Sequence, residues 1–201
     1  MRLGVFRRNY ELILAHNGKA GVSYRLAVNK YADWTTEERA QLRGYKKTER
    51  AKRAAGGRPS VVDEYKLPSF IDWREWGGVT PVQDQGQCNT CWAFATTAAM
   101  EGSYFAAHGK LNKYSEQMME DCCFGDECGG RDAGCYHGGC IHCALEWMQT
   151  RATVLEYDYP YEGTNVTNNT CRRELYPPQA TAKSVTIIDE NSVTQIKYGI
   201  S

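Results

Sequence analysis

A cysteine with a glutamine and a glycine upstream, followed directly by a run of helix formers, carries the clearest chemical content in this sequence. The segment reads Gln85-Gly86-Gln87-Cys88-Asn89-Thr90-Cys91-Trp92-Ala93-Phe94, and Ala95 to Ala107 is dominated by residues that favour helix. Cys91 therefore opens a helix, with Asn89 or Thr90 available to cap it. A sulfur at that position meets unpaired backbone N–H groups at the positive end of the helix dipole. That environment favours thiolate, the nucleophilic form of cysteine. Gly86 lets the chain turn so that the Gln85 amide can face the same point, where it and the Cys91 N–H could both donate to a developing oxyanion. The Cys88-x-x-Cys91 spacing also suits a redox pair or half a zinc site, and spacing alone leaves those readings open.

The elements around this segment fall into two compositions. All nine cysteines lie at or after position 88. Before them, Phe6, Tyr10, Ile13 and Leu14 recur on one face of a helix that Asn17, Gly18 and Gly21 would end. Ser23 to Asn29 alternates enough to predict a short strand, and Thr35-Thr36-Glu37-Glu38 offers a capping box for a second helix closing near Gly44. The basic run Lys46-Lys47-Thr48-Glu49-Arg50-Ala51-Lys52-Arg53 reads first as a solvated tether, second as an exposed processing site, and last as a nucleic-acid or nuclear-import patch. Farther on, Ile141, Ala144, Leu145 and Met148 make the apolar face of another helix.

Bulk properties narrow the compartment more than the chemistry. Twenty-four basic residues balance twenty-four acidic ones in 201 residues, so no global field points to nucleic acid, and no run is long and apolar enough for a spanning helix. Nine cysteines are a density typical of oxidising compartments, with eight able to pair and one left over as either an intermolecular linker or a reactive thiol. The sequons at Asn165 and Asn168 fit the same compartment as glycosylation sites. Cysteine usage thus predicts a lysosomal or extracellular protein, while the first residues lack a signal peptide, so the natural beginning is expected to lie upstream.

Three consecutive stretches resemble the start of mature papain-like cysteine proteases: Leu67-Pro68-Ser69-Phe70-Ile71-Asp72-Trp73-Arg74, Val79 to Gly86, and Cys88 to Phe94. Tyr114-Ser115-Glu116-Gln117 with Cys122, Gly134-Cys135-Tyr136-His137-Gly138-Gly139, and Tyr159-Pro160-Tyr161-Glu162-Gly163 with Cys171 are similar to later landmarks of that family. Arg2, Phe6, Asn9, Ile13 and Asn17, then Ala27, Asn29, Tyr31 and Asp33, resemble its inhibitory prosegment of the cathepsin L type.

The resemblance implies an α+β papain-like fold, with a prosegment and basic linker over residues 1–66 and a partial peptidase domain over 67–201. It implies Cys91 as nucleophile, Gln85 as oxyanion donor, and Gly138 with Gly139 as the strip that pairs with extended protein or peptide substrates. Ile141 is implied in an apolar substrate pocket. Cys88 pairs with Cys135 and Cys122 with Cys171 by the same resemblance, and Cys123 with Cys128 as in cathepsin B. Cys140 and Cys143 are left to each other, although helical side chains three apart sit wider than a disulfide allows, so they pair only at a frayed first turn. Disulfides are expected over a zinc site drawn from His137, His142 and the cysteines between Cys122 and Cys143, with no metal, no cofactor, and no membrane or nucleic-acid partner. The chain's own prosegment is the expected inhibitor.

Asn89 and Thr90 stand where the family has Gly and Ser, so a side chain at Asn89 would narrow the substrate cleft. The family signature places the catalytic His and Asn about 130–150 residues after the nucleophile, and none of His16, His108, His137 and His142 matches. The expectation is a truncated cysteine endopeptidase that is inactive by itself; the alternative is a non-catalytic protease-binding or inhibitory fragment.

Overall fold

The structure, a computed structural model, describes residues 2–45, 67–128, 135–163, 170–186 and 193–200. The basic tether, Gly134 and the sequon asparagines Asn165 and Asn168 lie outside the described residues. The chain divides into two compact units, Met1–Arg43 and Gly44–Ser201.

In the first unit, α1 spans Arg2–Asn17 and α2 spans Thr36–Ala40. The capping box forms as the sequence predicts: the Thr35 hydroxyl accepts the Glu38 N–H and the Glu38 carboxylate accepts the Thr35 N–H (2.8 Å). The helix stops earlier than expected, at Ala40. Val5 is the buried residue of α1, and Tyr10 and Leu14 are exposed, so the shielded face runs through Val5, Phe6, Asn9 and Ile13 instead. The strand expected over Ser23–Asn29 does not form. With no neighbouring strand, Leu26 satisfies its N–H and C=O on the Asn17 side-chain amide, both at 2.8 Å. Polar links close the rest: Asn9 to the Ala32 carbonyl (2.8 Å), and Arg2 to Asp33 (3.5 Å) and Glu38 (2.9 Å).

The second unit is built on α3 (Cys91–His108), which packs against α4 (Glu116–Cys122) and α5 (Ile141–Trp147); α6 covers Val193–Ile200. Trp92, Ala93 and Met100 of α3 meet Met118 and Met119 of α4 and Ala144 and Trp147 of α5 in one core, joined by Tyr114, Met148, Val154 and Tyr159. Among the described residues the β contribution is two isolated bridges, Tyr45 with Gly139 (parallel) and Tyr114 with Leu155 (antiparallel). The unit is therefore helix-rich, as a partial papain-like α+β fold should be.

Every residue of α4 is buried, polar ones included. Burying carboxylates costs free energy unless each finds partners. Glu116 accepts from the Thr97 hydroxyl (2.9 Å) and pairs with Lys113, while Asp121 accepts from Gln117 (3.0 Å) and from the Tyr159 hydroxyl (2.5 Å). Glu101, on α3, accepts from Thr80 (2.7 Å) and from the Tyr114 N–H (3.0 Å).

Four disulfides cross-link this unit: Cys88–Cys135, Cys122–Cys171, Cys123–Cys128 and Cys140–Cys143, with Cα separations of 4.6, 4.7, 5.5 and 5.3 Å. Cys140 is not helical. It is the N-cap of α5, and its extended backbone brings its sulfur over the first turn, where it also accepts the Cys143 N–H (3.2 Å).

Candidate active site

With eight cysteines paired, Cys91 is the free thiol. It is the first residue of α3 and half-buried. The expected side-chain cap is absent. Thr90 occupies the N-cap position, but its hydroxyl turns away from the helix to the Tyr161 hydroxyl (2.8 Å). The Thr90 carbonyl, in contrast, accepts the Ala93 N–H (2.8 Å) and the Phe94 N–H (3.1 Å), which starts the helix ladder under the sulfur.

Gln85 and Cys91 belong to one tightly tied loop. The Gln85 side-chain amide donates to the Cys88 carbonyl (2.7 Å), and the Tyr161 hydroxyl donates to the Gln85 carbonyl (2.9 Å). Cys88 is fully buried and disulfide-bonded to Cys135, whose carbonyl accepts the Asn89 N–H (2.6 Å). Burial pushes the Tyr161 hydroxyl up to about 12, so it stays protonated and remains a donor at physiological pH.

The Gly138-Gly139 strip reaches the same place from the other side of that disulfide. A Cβ on Gly139 would run into the buried Trp92 ring, and a Cβ on Gly138, which sits at a left-handed φ of 60°, would strike the Gly44 carbonyl. The strip is thus pressed between Trp92, the residue after Cys91, and a resident extended segment. That segment is Gly44–Tyr45. Its Gly44 carbonyl accepts the Gly139 N–H (2.7 Å), Tyr45 bridges to Gly139, and the Gly44 N–H donates to the Cys91 sulfur (3.3 Å). Only glycine fits there, because a Cβ at Gly44 would overlap the Asn89 carbonyl.

Asn89 donates its side-chain amide to the Tyr136 carbonyl (3.4 Å), and its side-chain oxygen is buried without a hydrogen-bond partner. Ile141, the first residue of α5, is partly buried and packs on the core. Of the four histidines, His16 lies against Tyr24, His108 against Tyr104 and His142 with Glu146 (3.1 Å), and His137 is exposed directly before Gly138. No group of three or more His, Cys, Asp or Glu able to hold a metal occurs among the described residues.

Sequence reasoning missed Gly44, which it used only to end a helix, although a lone glycine between Arg43 and Tyr45 marks a close backbone approach. It also missed the Thr90–Tyr161 pair, for which no local signal exists across 71 residues.

A free thiol opening a partly buried helix, a glutamine tied into the same loop and a glycine strip alongside are the arrangement expected of a thiol-protease type of site. The chain belongs to the papain family of cysteine proteases, whose profile matches residues 67–201; residues 1–38 match the cathepsin propeptide inhibitor domain. Among curated relatives, digestive cysteine proteinase 1 of Homarus americanus is 37% identical over 98% of this chain and 59% of its own length. Procathepsin L of Felis catus is 35% identical over 92% of this chain and 53% of its own. The chain thus spans between half and three-fifths of these relatives. Of solved structures, a digestive procathepsin L 3 from Tenebrio molitor larval midgut superposes with a TM-score of 0.68 at 31% identity, covering 89% of this chain and 56% of that one. The ragweed pollen allergen Amb a 11, a cysteine protease in its proform, gives 0.66 at 34% identity over 86% and 52%.

Proposed function

We propose that the full-length protein is a cysteine endopeptidase held latent by its own prosegment. One observation carries the reading: the only free thiol opens α3 beside the glycine strip, and the Gly44–Tyr45 segment lies across both. In the reaction, the Cys91 thiolate attacks the scissile carbonyl of an extended peptide. The resulting oxyanion takes hydrogen bonds from the Gln85 amide and the Cys91 N–H. An imidazolium protonates the leaving amine, and water then hydrolyses the acyl-enzyme and regenerates the thiol. Gly138 and Gly139 supply backbone pairing, Ile141 an apolar contact, and Asn89 a side wall of the cleft. Neither a metal nor a cofactor enters this scheme.

The domain division that goes with this reading is a prosegment and linker over 1–66 and the peptidase over 67–201. Four disulfides suit an oxidising compartment, so a lysosomal or extracellular site fits best, with Asn165 and Asn168 as glycan acceptors. Among the described residues no helix is long and apolar enough to cross a membrane.

For the 201-residue chain by itself we expect no turnover. His108 lies at the far end of α3, roughly 25 Å along the helix axis from Cys91, His142 is paired with Glu146, and neither His16 nor His137 stands at the spacing from Cys91 that the family signature requires. A binding or inhibitory role for the fragment is the second reading, favoured by the propeptide inhibitor match. The test is a Phe-Arg fluorogenic peptide assay before and after limited proteolysis in 58–66, beside Cys91→Ala. Robust cleavage abolished by Cys91→Ala would mean that a group within these residues serves as the base. Inhibition of a second papain-family protease by the intact chain would favour the binding role.

A further inference from the structure

We propose that Tyr161 is a positioning residue for the oxyanion site: its hydroxyl clamps the main chain of Gln85 to Thr90, the residue before the nucleophile. The proposal rests on the reading of Gln85 as oxyanion donor to a Cys91 adduct, and it adds the part that fixes the donor in place.

The geometry is that of a two-way bridge. A tyrosine hydroxyl carries one proton, and Tyr161 gives it to the Gln85 carbonyl at 2.9 Å. The contact with Thr90 at 2.8 Å must then be donated by the threonine hydroxyl. Thr90 is fully buried, so this is also how its hydroxyl proton is satisfied. The bridge spans the loop from Gln85 to Thr90 at both ends, and within it the Gln85 amide is held on the Cys88 carbonyl. A loop closed at its two ends and pinned inside leaves the amide little freedom relative to Cys91.

Tyr161 is itself fixed from three directions. Its ring meets Phe94, three residues beyond Cys91 on α3, edge to face at 5.0 Å. Its N–H donates to Glu156 (2.8 Å), and the next N–H, of Glu162, donates to Gln117 of α4 (2.9 Å). The clamp therefore refers the oxyanion donor to the same helix that carries the nucleophile. A hydroxyl at residue 90 is part of it, which gives threonine at this position a role that helix capping does not.

The probe is N-acetyl-phenylalanyl-glycinal, added to the full chain. The Cys91 sulfur bonds to the aldehyde carbon and the thiol proton passes to the aldehyde oxygen, giving a neutral hemithioacetal whose oxygen occupies the oxyanion position. Affinity is followed by NMR of a 13C label at the aldehyde carbon, with Cys91→Ala as the blank; the resident Gly44 segment weakens binding alike in every variant. The expected losses are about tenfold for Gln85→Ala and roughly three- to tenfold for Tyr161→Phe and for Thr90→Val, as for single hydrogen bonds. Thr90→Ser should recover most of what Thr90→Val loses. The decisive arm is the double variant: Tyr161→Phe should add nothing once Gln85 is alanine. An equal further loss in the Gln85→Ala background would make Tyr161 merely structural and overturn the proposal. So would full affinity in both Tyr161→Phe and Thr90→Val while Gln85→Ala binds weakly. If Gln85→Ala binds as tightly as wild type, or wild type forms no adduct, the underlying oxyanion or nucleophile reading fails and the proposal falls with it.

Discussion

The two units of this chain are held together by different physics. Met1–Arg43 has one buried residue in its long helix and leaves Leu3, Leu12, Leu14 and Tyr24 more than half exposed. Its order comes from the capping box, the Asn17 clasp on Leu26 and surface ion pairs. Gly44–Ser201 has a continuous core of tryptophan, tyrosine and methionine, a buried polar network on α4, and four disulfides. Exposed polar contacts are worth little each and fade with salt, whereas burial and cross-links persist. The first unit should therefore open locally long before the second.

Breaking a long-range cross-link should sharpen that contrast most. Cys122–Cys171 closes a loop of 49 residues, for which chain entropy alone gives about 4 kcal/mol. The double variant Cys122→Ala/Cys171→Ala should lose about that much in denaturant unfolding of the second unit. Hydrogen exchange of α1 should be unchanged. Equal loss of protection in both units would dissolve the distinction.

The next effect is pH-dependent and belongs to the second unit. Burial, aided by the Glu116 charge, pushes the Glu156 carboxyl from its ordinary 4.5 up to about 7, although the Tyr161 N–H pulls it down. A group raised in the folded state contributes its full stability below about 4.5 and loses it as pH rises through about 7. Glu156→Gln should therefore be nearly neutral at pH 4.5 and stabilising by about 1–2 kcal/mol at pH 8, discounted for partial exposure. Thermal melts at the two pH values check the sign. An equal change at both would remove the titration from the account.

A smaller effect belongs to the first unit. Asn17→Ala removes both bonds to Leu26, and exposure limits the cost to about 1 kcal/mol. Exchange of the Leu26 amide should rise while the second unit's core amides stay fixed. Unchanged exchange at Leu26 would show that the clasp holds nothing.

How much of this was legible in the sequence depended on the reach of each interaction. The Thr35–Glu38 box and the helix at Cys91 are local, and they stand where composition places them. The Ser23–Asn29 strand was misread because alternation predicts extended backbone but cannot say whether a partner strand exists. Thr90 was misread as a cap because a threonine before a helix normally bonds the helix's own N–H groups, and here a hydroxyl 71 residues away competes for it. The awkward Cys140–Cys143 pair became possible once the backbone put Cys140 at an N-cap outside the helix. Gly44 was the costliest omission. Its meaning depends on Asn89, Cys91 and Gly139 converging on it, which no local window contains.

Cys91 as the one reactive thiol, shielded by Gly44, is the reading on which the proposed function depends. Unreduced protein treated with iodoacetamide at mildly acidic pH and mapped by mass spectrometry tests it directly. One label is predicted, on Cys91, slow in the wild-type chain. It should form about five- to a hundred-and-fiftyfold faster in Gly44→Ala, the range that about 1–3 kcal/mol of overpacking against Asn89 would give. Equal labelling of Cys88 and Cys91, or a rate untouched by Gly44→Ala, would contradict the account.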